Sequence, residues 1–240
     1  MKECSMSAPT TSWAKLRQVV IATTHHGADT AAVREAFGLG EGFADPELAK
    51  ISLVDATLPV SAGRYLELVG STDGVGPVGR WLSKIGGRGG FVLSVQHPDP
   101  DAVRERCRTL GVRVPIDELA FGRTVLQLHP KDVGLVLEID GIADRDEWFW
   151  DDIDPGPEAG ARVDEIVGVE VPVADPAAMN VLWHRLLDLG EPAVPDEIEL
   201  GGAFVKFVPG GPSADWTVVL RTASAAAVDP GLPGISFRLV

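Results

Sequence analysis

The chain holds only two cysteines, Cys4 and Cys107, among 240 residues, so no disulfide framework can stabilise it and a reducing cytoplasm is the expected address. It is short of cations: 21 Lys and Arg stand against 35 Asp and Glu, for a formal charge of −14. Nucleic acid and anionic membrane surfaces are therefore not expected partners, because affinity for a polyanion comes from clustered cations that release its counterions. Long apolar runs are missing too. Stretches such as Gly134 to Ile139 and Thr217 to Leu220 fall far below the roughly 20 residues of a membrane helix. The first thirteen residues are polar, which argues against a secretory signal. What remains, 45% hydrophobic and 23% charged, is ordinary globular material with enough length for a sizeable core.

Three stretches share one plan. Each opens on a β-rich segment, Leu16 to Ala22, Phe91 to Gln96 and Ile166 to Val173. Each then passes an Asp near an expected helix start (Asp29, Asp101, Asp175), a residue type that caps free backbone N–H groups. Apolar residues at helical spacing follow, such as Val103, Cys107 and Leu110 or Leu182, Leu186 and Leu189, up to a Leu-Gly pair at Gly40, Gly111 and Gly190. Further strands end in Arg64 to Val69, Leu135 to Asp140 and Trp216 to Arg221. Gly40 to Gly111 and Glu67 to Glu138 are both offset by 71 residues, so two copies match in register and the third is looser. The expected class is α+β, built of repeated βαβββ modules. A tail at 1–15 precedes paired modules at 16–140, an acidic linker at 141–164 and a third, divergent module with a C-terminal strand at 165–240. Gly70 to Gly90, with eight glycines, reads as a flexible crossover with about one helical turn. The linker interleaves Trp148, Phe149 and Trp150 with acids and reads as a solvated connector that pins its aromatics on a neighbour, or as a lid.

Strand alternation sorts each module into two faces. Val19 and Ile21, Phe91, Leu93 and Val95, and the pairs Leu66/Leu68 and Leu137/Ile139 form the face expected under the helices. Glu67 and Glu138 then lie opposite, at the same strand position in two modules. If those faces make one cup, the two carboxylates converge on its floor, where they can bind a divalent cation or serve as a general base; otherwise they are solvated acids on an open face.

The paired modules, with the phrases RYLELV (64–69), GPVGRWLSKIGGRGG (76–90), DAVRERCRTLGV (101–112) and LHPKDVGLVLEID (128–140), resemble the vicinal oxygen chelate superfamily of glyoxalases, epimerases, extradiol dioxygenases and bleomycin-resistance proteins. The resemblance implies a cup whose metal ligands come from the first and last strand of each module: here Gln18, Glu67 and Glu138, with Val92 at the fourth position. It implies a divalent ion, with Mg, Mn, Fe, Ni and Zn not distinguished. Three oxygen donors suit Mg, Mn or Ca better than Zn or Ni. The enzymatic reading is an isomerase, epimerase or lyase that stabilises an enolate, with Glu138 or Glu67 as proton-transfer base. The rival reading is a metal-free protein that binds or sequesters a small organic molecule without turnover.

His25, His26 and His129 are lesser site candidates, and His97 and His184 read as structural. Gly74 to Gly79 satisfies GxGxxG, but the preceding strand ends too early and the following helix can reach only about Ile85, so no nucleotide is expected. An odd third module suggests pairing with a second chain in a homodimer, unless the tail strand 235–240 covers its edge.

Overall fold

A computed structural model describes residues 12–211 and 214–240; Cys4 and most of the expected tail lie outside the described residues. The first module runs β1 (Lys15–Thr23), α1 (His26–Phe37), β2 (Leu53–Ser61) and β3 (Arg64–Ser71), and a connecting helix α2 (Gly76–Ile85) follows. The second runs β4 (Arg88–His97), α3 (Pro100–Leu110), β5 (Ile116–Ala120), β6 (Arg123–Leu128), α4 (Pro130–Val133) and β7 (Val136–Gly141). The remainder holds β8 (Val163–Val173), α5 (Pro176–Leu187), β9 (Glu197–Glu199), β10 (Phe204–Pro209), β11 (Trp216–Thr222) and β12 (Ile235–Leu239). The α+β class and the repeat stand. In the first module the opening hairpin strand has shrunk to one bridge, Phe43 to Thr57.

The two modules share one seven-stranded sheet, ordered β2-β3-β1-β4-β7-β6-β5. β1 and β4 meet antiparallel at its centre, and each pairs in parallel with its module's last strand, β3 or β7. The alternation reads correctly: Val19, Ile21, Leu66, Leu68, Leu93, Leu137 and Ile139 are buried beneath the helices beside Val33, Phe37, Val103 and Cys107. Phe91 departs from it. Val20 pairs with Val92 but Ile21 with Gly90, so Phe91 is the extra residue of a β-bulge, and it reaches the opposite face.

The second sheet corrects the expected third module. Its order is β12-β11-β8-β10-β9, with β10 parallel to β8 and β11 antiparallel to it. The counterpart of β3 and β7 is therefore β10, and the segment at 216–222 repeats β4 instead. Together β11 and β12 are a fourth module cut down to its first and last strands. The third module thus finds its partner within its own chain, and the tail strand covers the edge of that sheet, the alternative stated above to pairing with a second chain. The inner face of this sheet joins the first sheet's helices in one core, as where Phe37 meets Phe237 edge to face at 5.1 Å.

Local signals shifted by a few residues. α1 stops at Gly38 rather than Gly40, and α5 at Asp188, which takes φ 56 itself and bonds Arg106. Asp175 caps α5 as expected, but Asp99 rather than Asp101 caps α3, and Asp29 lies buried in α1, bonded to Arg88. α2 is ten residues long instead of one turn, since Pro77 suits its first turn and Val78 and Leu82 bury one stripe. Among the described residues no helix is long and apolar enough to cross a membrane.

Candidate functional site

All three expected ligands line one cavity of about 790 Å³ over the open face of the first sheet. Gln18 of β1 pairs across the centre with Ser94 of β4, and Ser94 pairs with Glu138 of β7. Glu67 of β3 sits beside Val20 of β1. Alternation delivers Glu67 and Glu138 to the floor because their sequence neighbours Leu66, Leu68, Leu137 and Ile139 are core residues, while Gln18 follows Arg17, where the strand register is interrupted. Val92 occupies the register position that answers Gln18, as expected.

Two covers narrow the cup. α2 lays Val78 and Leu82 on Val20, Ala22, Val69 and Val92, which fills one side with an apolar plug. At the other side the linker pins its aromatics on the sheet while most of its acids stay exposed. Trp148 and Trp150 are buried with Tyr65 and Ile142, and Phe121 packs on Trp150 with ring centroids 5.6 Å apart. Trp150 reaches the floor itself: its Nε1–H donates to Gln18 Oε1 at 3.0 Å.

That bond orients Gln18. With its oxygen turned to the indole, its Nε2 donates to Glu67 Oε2 at 2.5 Å. The reverse orientation would set two N–H donors against each other. Glu138 is held in parallel fashion, since Gln127 Nε2 donates to its Oε2 at 2.7 Å. Two residues along β7, Asp140 accepts from Ser94 Oγ. Asp140 was not singled out from the sequence, because its counterpart in the first module is Val69 and the repeat gives no sign of it. Trp150 and Gln127 were missed as partners of the two expected ligands.

The floor is strongly acidic, with Glu67 and Asp140 buried and Glu138 partly exposed to the cavity. Burial raises Glu67 well above the usual carboxylate range, and the charges of Asp55 and Glu138 push the same way. Burial also raises Asp140, aided by Glu138, and it raises Glu138 itself against the opposing bond from Gln127. At the rim, burial lifts Asp55 to about 6. Among the described residues none of Glu67, Glu138 and Asp140 is in an ion pair; the nearby guanidinium of Arg17 is spent on Gln96 and on backbone carbonyls. Carboxyls so placed share protons or hold a cation.

A hard divalent ion fits the chemistry of this floor, which offers buried oxygen donors and unneutralised acid. Glu67 and Glu138 are the residues that would hold it. Gln18 would add its oxygen only after its amide releases Trp150 and turns over. Among the described residues no three His, Cys, Asp or Glu side chains converge as a ready metal centre.

The histidines stand outside this floor. His97 is buried and bonds Leu187 O and Asp99 N–H, and His184 bonds Gly190 O, so both are structural as expected. His25 precedes α1, and His26, its first residue, lies beside Gly70 of β3. His129 caps the short α4 and faces a different cavity. Cys107 is a core residue, its thiol pushed up to about 11 by burial.

No family model matches the chain, and no curated protein matches it. Among solved structures, a Streptomyces coelicolor methylmalonyl-CoA epimerase variant bound to 2-nitronate-propionyl-CoA is 27% identical, covering 54% of this chain and 98% of its own, with TM-score 0.48. A methylmalonyl-CoA epimerase in complex with methylmalonyl-CoA and NH4+ is 28% identical over 55% of this chain and 96% of its own, with TM-score 0.48. The Mycobacterium tuberculosis methylmalonyl-CoA epimerase is 22% identical over 59% and 95%, also at 0.48. These structural neighbours are members of the vicinal oxygen chelate superfamily.

Proposed function

We propose that the cup binds a small organic molecule bearing a carbonyl group and moves a proton at the carbon beside it, with Glu67 and Glu138 as the proton-transfer pair. The observation that carries this reading is the pair itself. Two carboxyls from register-equivalent strands line the floor of one cavity, each aimed by one amide N–H, with no cation bonded to either among the described residues. Burial opposes ionisation of both, and the charge of Glu138 opposes that of Glu67, so we assign one as carboxylate and the other as acid. The carboxylate takes the C–H proton. The protonated partner donates to the oxygen on which negative charge develops, or returns a proton to carbon, giving an isomerase or epimerase outcome. The apolar walls from α2 and the linker lower the local dielectric and so strengthen each of these interactions.

A divalent ion held by Glu67 and Glu138 would polarise the carbonyl oxygen when bound. Mg and Mn suit the donors better than Zn or Ni. One observation favours the rival reading, a metal-free binding or sequestering protein: the only oxygen of Gln18 is occupied by Trp150, and Val92 is apolar.

The test couples metal analysis to proton exchange. Untagged protein is assayed by plasma mass spectrometry, then incubated in D2O with a panel of 2-oxo, 3-oxo and thioester carbonyl compounds, and exchange is read by proton NMR. Exchange that falls about 100-fold or more in both Glu67→Gln and Glu138→Gln supports the proposal. About one divalent ion per chain, lost in the double variant, adds the metal-assisted form. Ligand shifts without exchange, equal with and without chelator, would overturn the enzymatic reading in favour of sequestration.

A further inference from the structure

A second cavity, of about 640 Å³, opens where the two sheets meet. One wall is the first sheet's: Phe91 from the bulge in β4, Val136 of β7, and Trp81 of α2. The facing wall belongs to the second sheet: Trp216 of β11, Met179 of α5 and the end of β8 at Pro172. Both aromatic walls are fixed. Trp81 Nε1–H donates to Gly90 O at 3.3 Å, and Trp216 lies so close to Gly90 that a Cβ there would fall 1.9 Å from its ring. The shape therefore exists before any ligand arrives, which lowers the ordering cost of binding.

The charge of this cavity runs against that of the chain. No Asp or Glu lines it, while Lys84 and Lys131 stand at its mouth beside His129. Among the described residues, the lysines in ion pairs are Lys50 and Lys206; neither Lys84 nor Lys131 is in one. His129 Nδ1 accepts from Lys131 N–H at 3.2 Å, which leaves the proton of the neutral ring on Nε2, as a further donor. In a chain of net charge −14, two ammonium groups in no ion pair among the described residues and an imidazole beside an aromatic trough form a local exception.

We infer that this cavity is a second ligand site, for a hydrophobic carboxylate whose flat or acyl body lies between Trp81, Phe91 and Trp216 while its anionic end meets Lys84, Lys131 and His129. Its occupant differs in kind from that of the acidic cup, which repels anions. Phe91 lines both cavities, so the two sites share one wall.

The experiment uses the full chain and 1-naphthoate, with neutral 1-naphthylmethanol beside it, in calorimetric titrations. Naphthoate should bind with sub-millimolar affinity, at least about tenfold more tightly than the alcohol. Lys84→Ala/Lys131→Ala, at exposed positions that leave the core intact, should weaken naphthoate by about tenfold and leave the alcohol unchanged. Glu138→Gln should not alter naphthoate binding. No heat up to about 5 mM, undiminished binding in the lysine double variant, or loss of binding in Glu138→Gln would each overturn the assignment. The Glu138→Gln arm also separates this site from the proposed chemistry of the cup, which can fail without it.

Discussion

In the first sheet Val20 of β1 lies beside Glu67 of β3, and in the second sheet the same place holds Glu170 of β8 beside Lys206 of β10. Across the centre, Ser94 pairs with Glu138 in the first sheet, and the matching residues of the second are Val219 and Arg238. One strand plan thus sets carboxylates at two positions in one sheet and cations at the same two in the other. The difference lies in the cover. α2 and the linker's aromatics narrow the first sheet's face to a cup, so Glu67 and Asp140 are buried and the charge of Glu138 presses on both. Over the second sheet Arg238 is exposed and bonds Glu170 at 2.7 Å, while half-exposed Lys206 lies 3.7 Å from Asp196. Register decides where a functional group can stand; burial decides whether it becomes reactive or merely solvated.

The contrast can be broken first at the seam. Gly90→Ala drives a methyl into the ring of Trp216, against which it has no room. Overpacking at this contact should cost about 2–4 kcal/mol and lower the melting temperature by roughly 5–10 °C. A loss under about 1 kcal/mol would mean that the two sheets do not press on each other at this point.

The next largest effect concerns the acids. Because burial raises Glu67 and Asp140, and lifts Asp55 to about 6, the folded chain keeps protons that the unfolded chain releases. The associated stability is complete below the ordinary carboxylate range and is lost as pH rises through the raised values. Glu67→Gln removes one such group while keeping an acceptor for Gln18. It should therefore melt above the parent at pH 8 by about 2–6 °C, with the gap closing near pH 4. Calorimetric scans at both pH values check this, and equal melting at pH 8 would show that Glu67 ionises without penalty.

How far the sequence carries this contrast depends on the range of the interaction that fixes each residue. Glu67 and Glu138 are legible because a 71-residue offset and strand alternation are local, and both survive into the structure. The covered face is legible for the same reason, except at Phe91, where a bulge breaks the period of two. Asp140 is silent because a repeat cannot report a residue that only one copy carries. α2 is disguised by the glycines around it. Trp150 belongs to a segment without periodicity, and its role depends on a bond to a residue 132 positions away. The misassigned strand at 216–222 has the pattern of any strand. Only pairing partners distinguish a module's last strand from the next module's first.

Trp150→Phe sharpens the comparison within the cup. The change keeps most of the ring that packs on Phe43 and Phe121 but removes the N–H that Gln18 Oε1 accepts. A buried acceptor left without its donor should cost about 1–2 kcal/mol by urea unfolding. It also frees the Gln18 oxygen to turn toward the floor, so Mn2+ affinity, read by electron paramagnetic resonance, should rise. A fall in Mn2+ affinity would show instead that the indole organises the ligands rather than withholding one.

The smallest effect belongs to the second sheet, and it is the control for the whole contrast. Arg238→Gln removes a partner of Glu170, but Arg238 is 46% exposed at its side chain, so solvent and salt already screen the pair. The expected loss is about 0.2–1 kcal/mol at low ionic strength, shrinking in 0.5 M salt on the order of a Debye length of a few ångström. Neither naphthoate binding nor proton exchange should change, because Arg238 lines neither cavity. A loss above about 2 kcal/mol, insensitive to salt, would mean that Glu170 depends on its partner as a buried charge does. Burial would then not be what separates the two sheets, and the reactivity proposed for Glu67 and Glu138 would need a cause other than their cover.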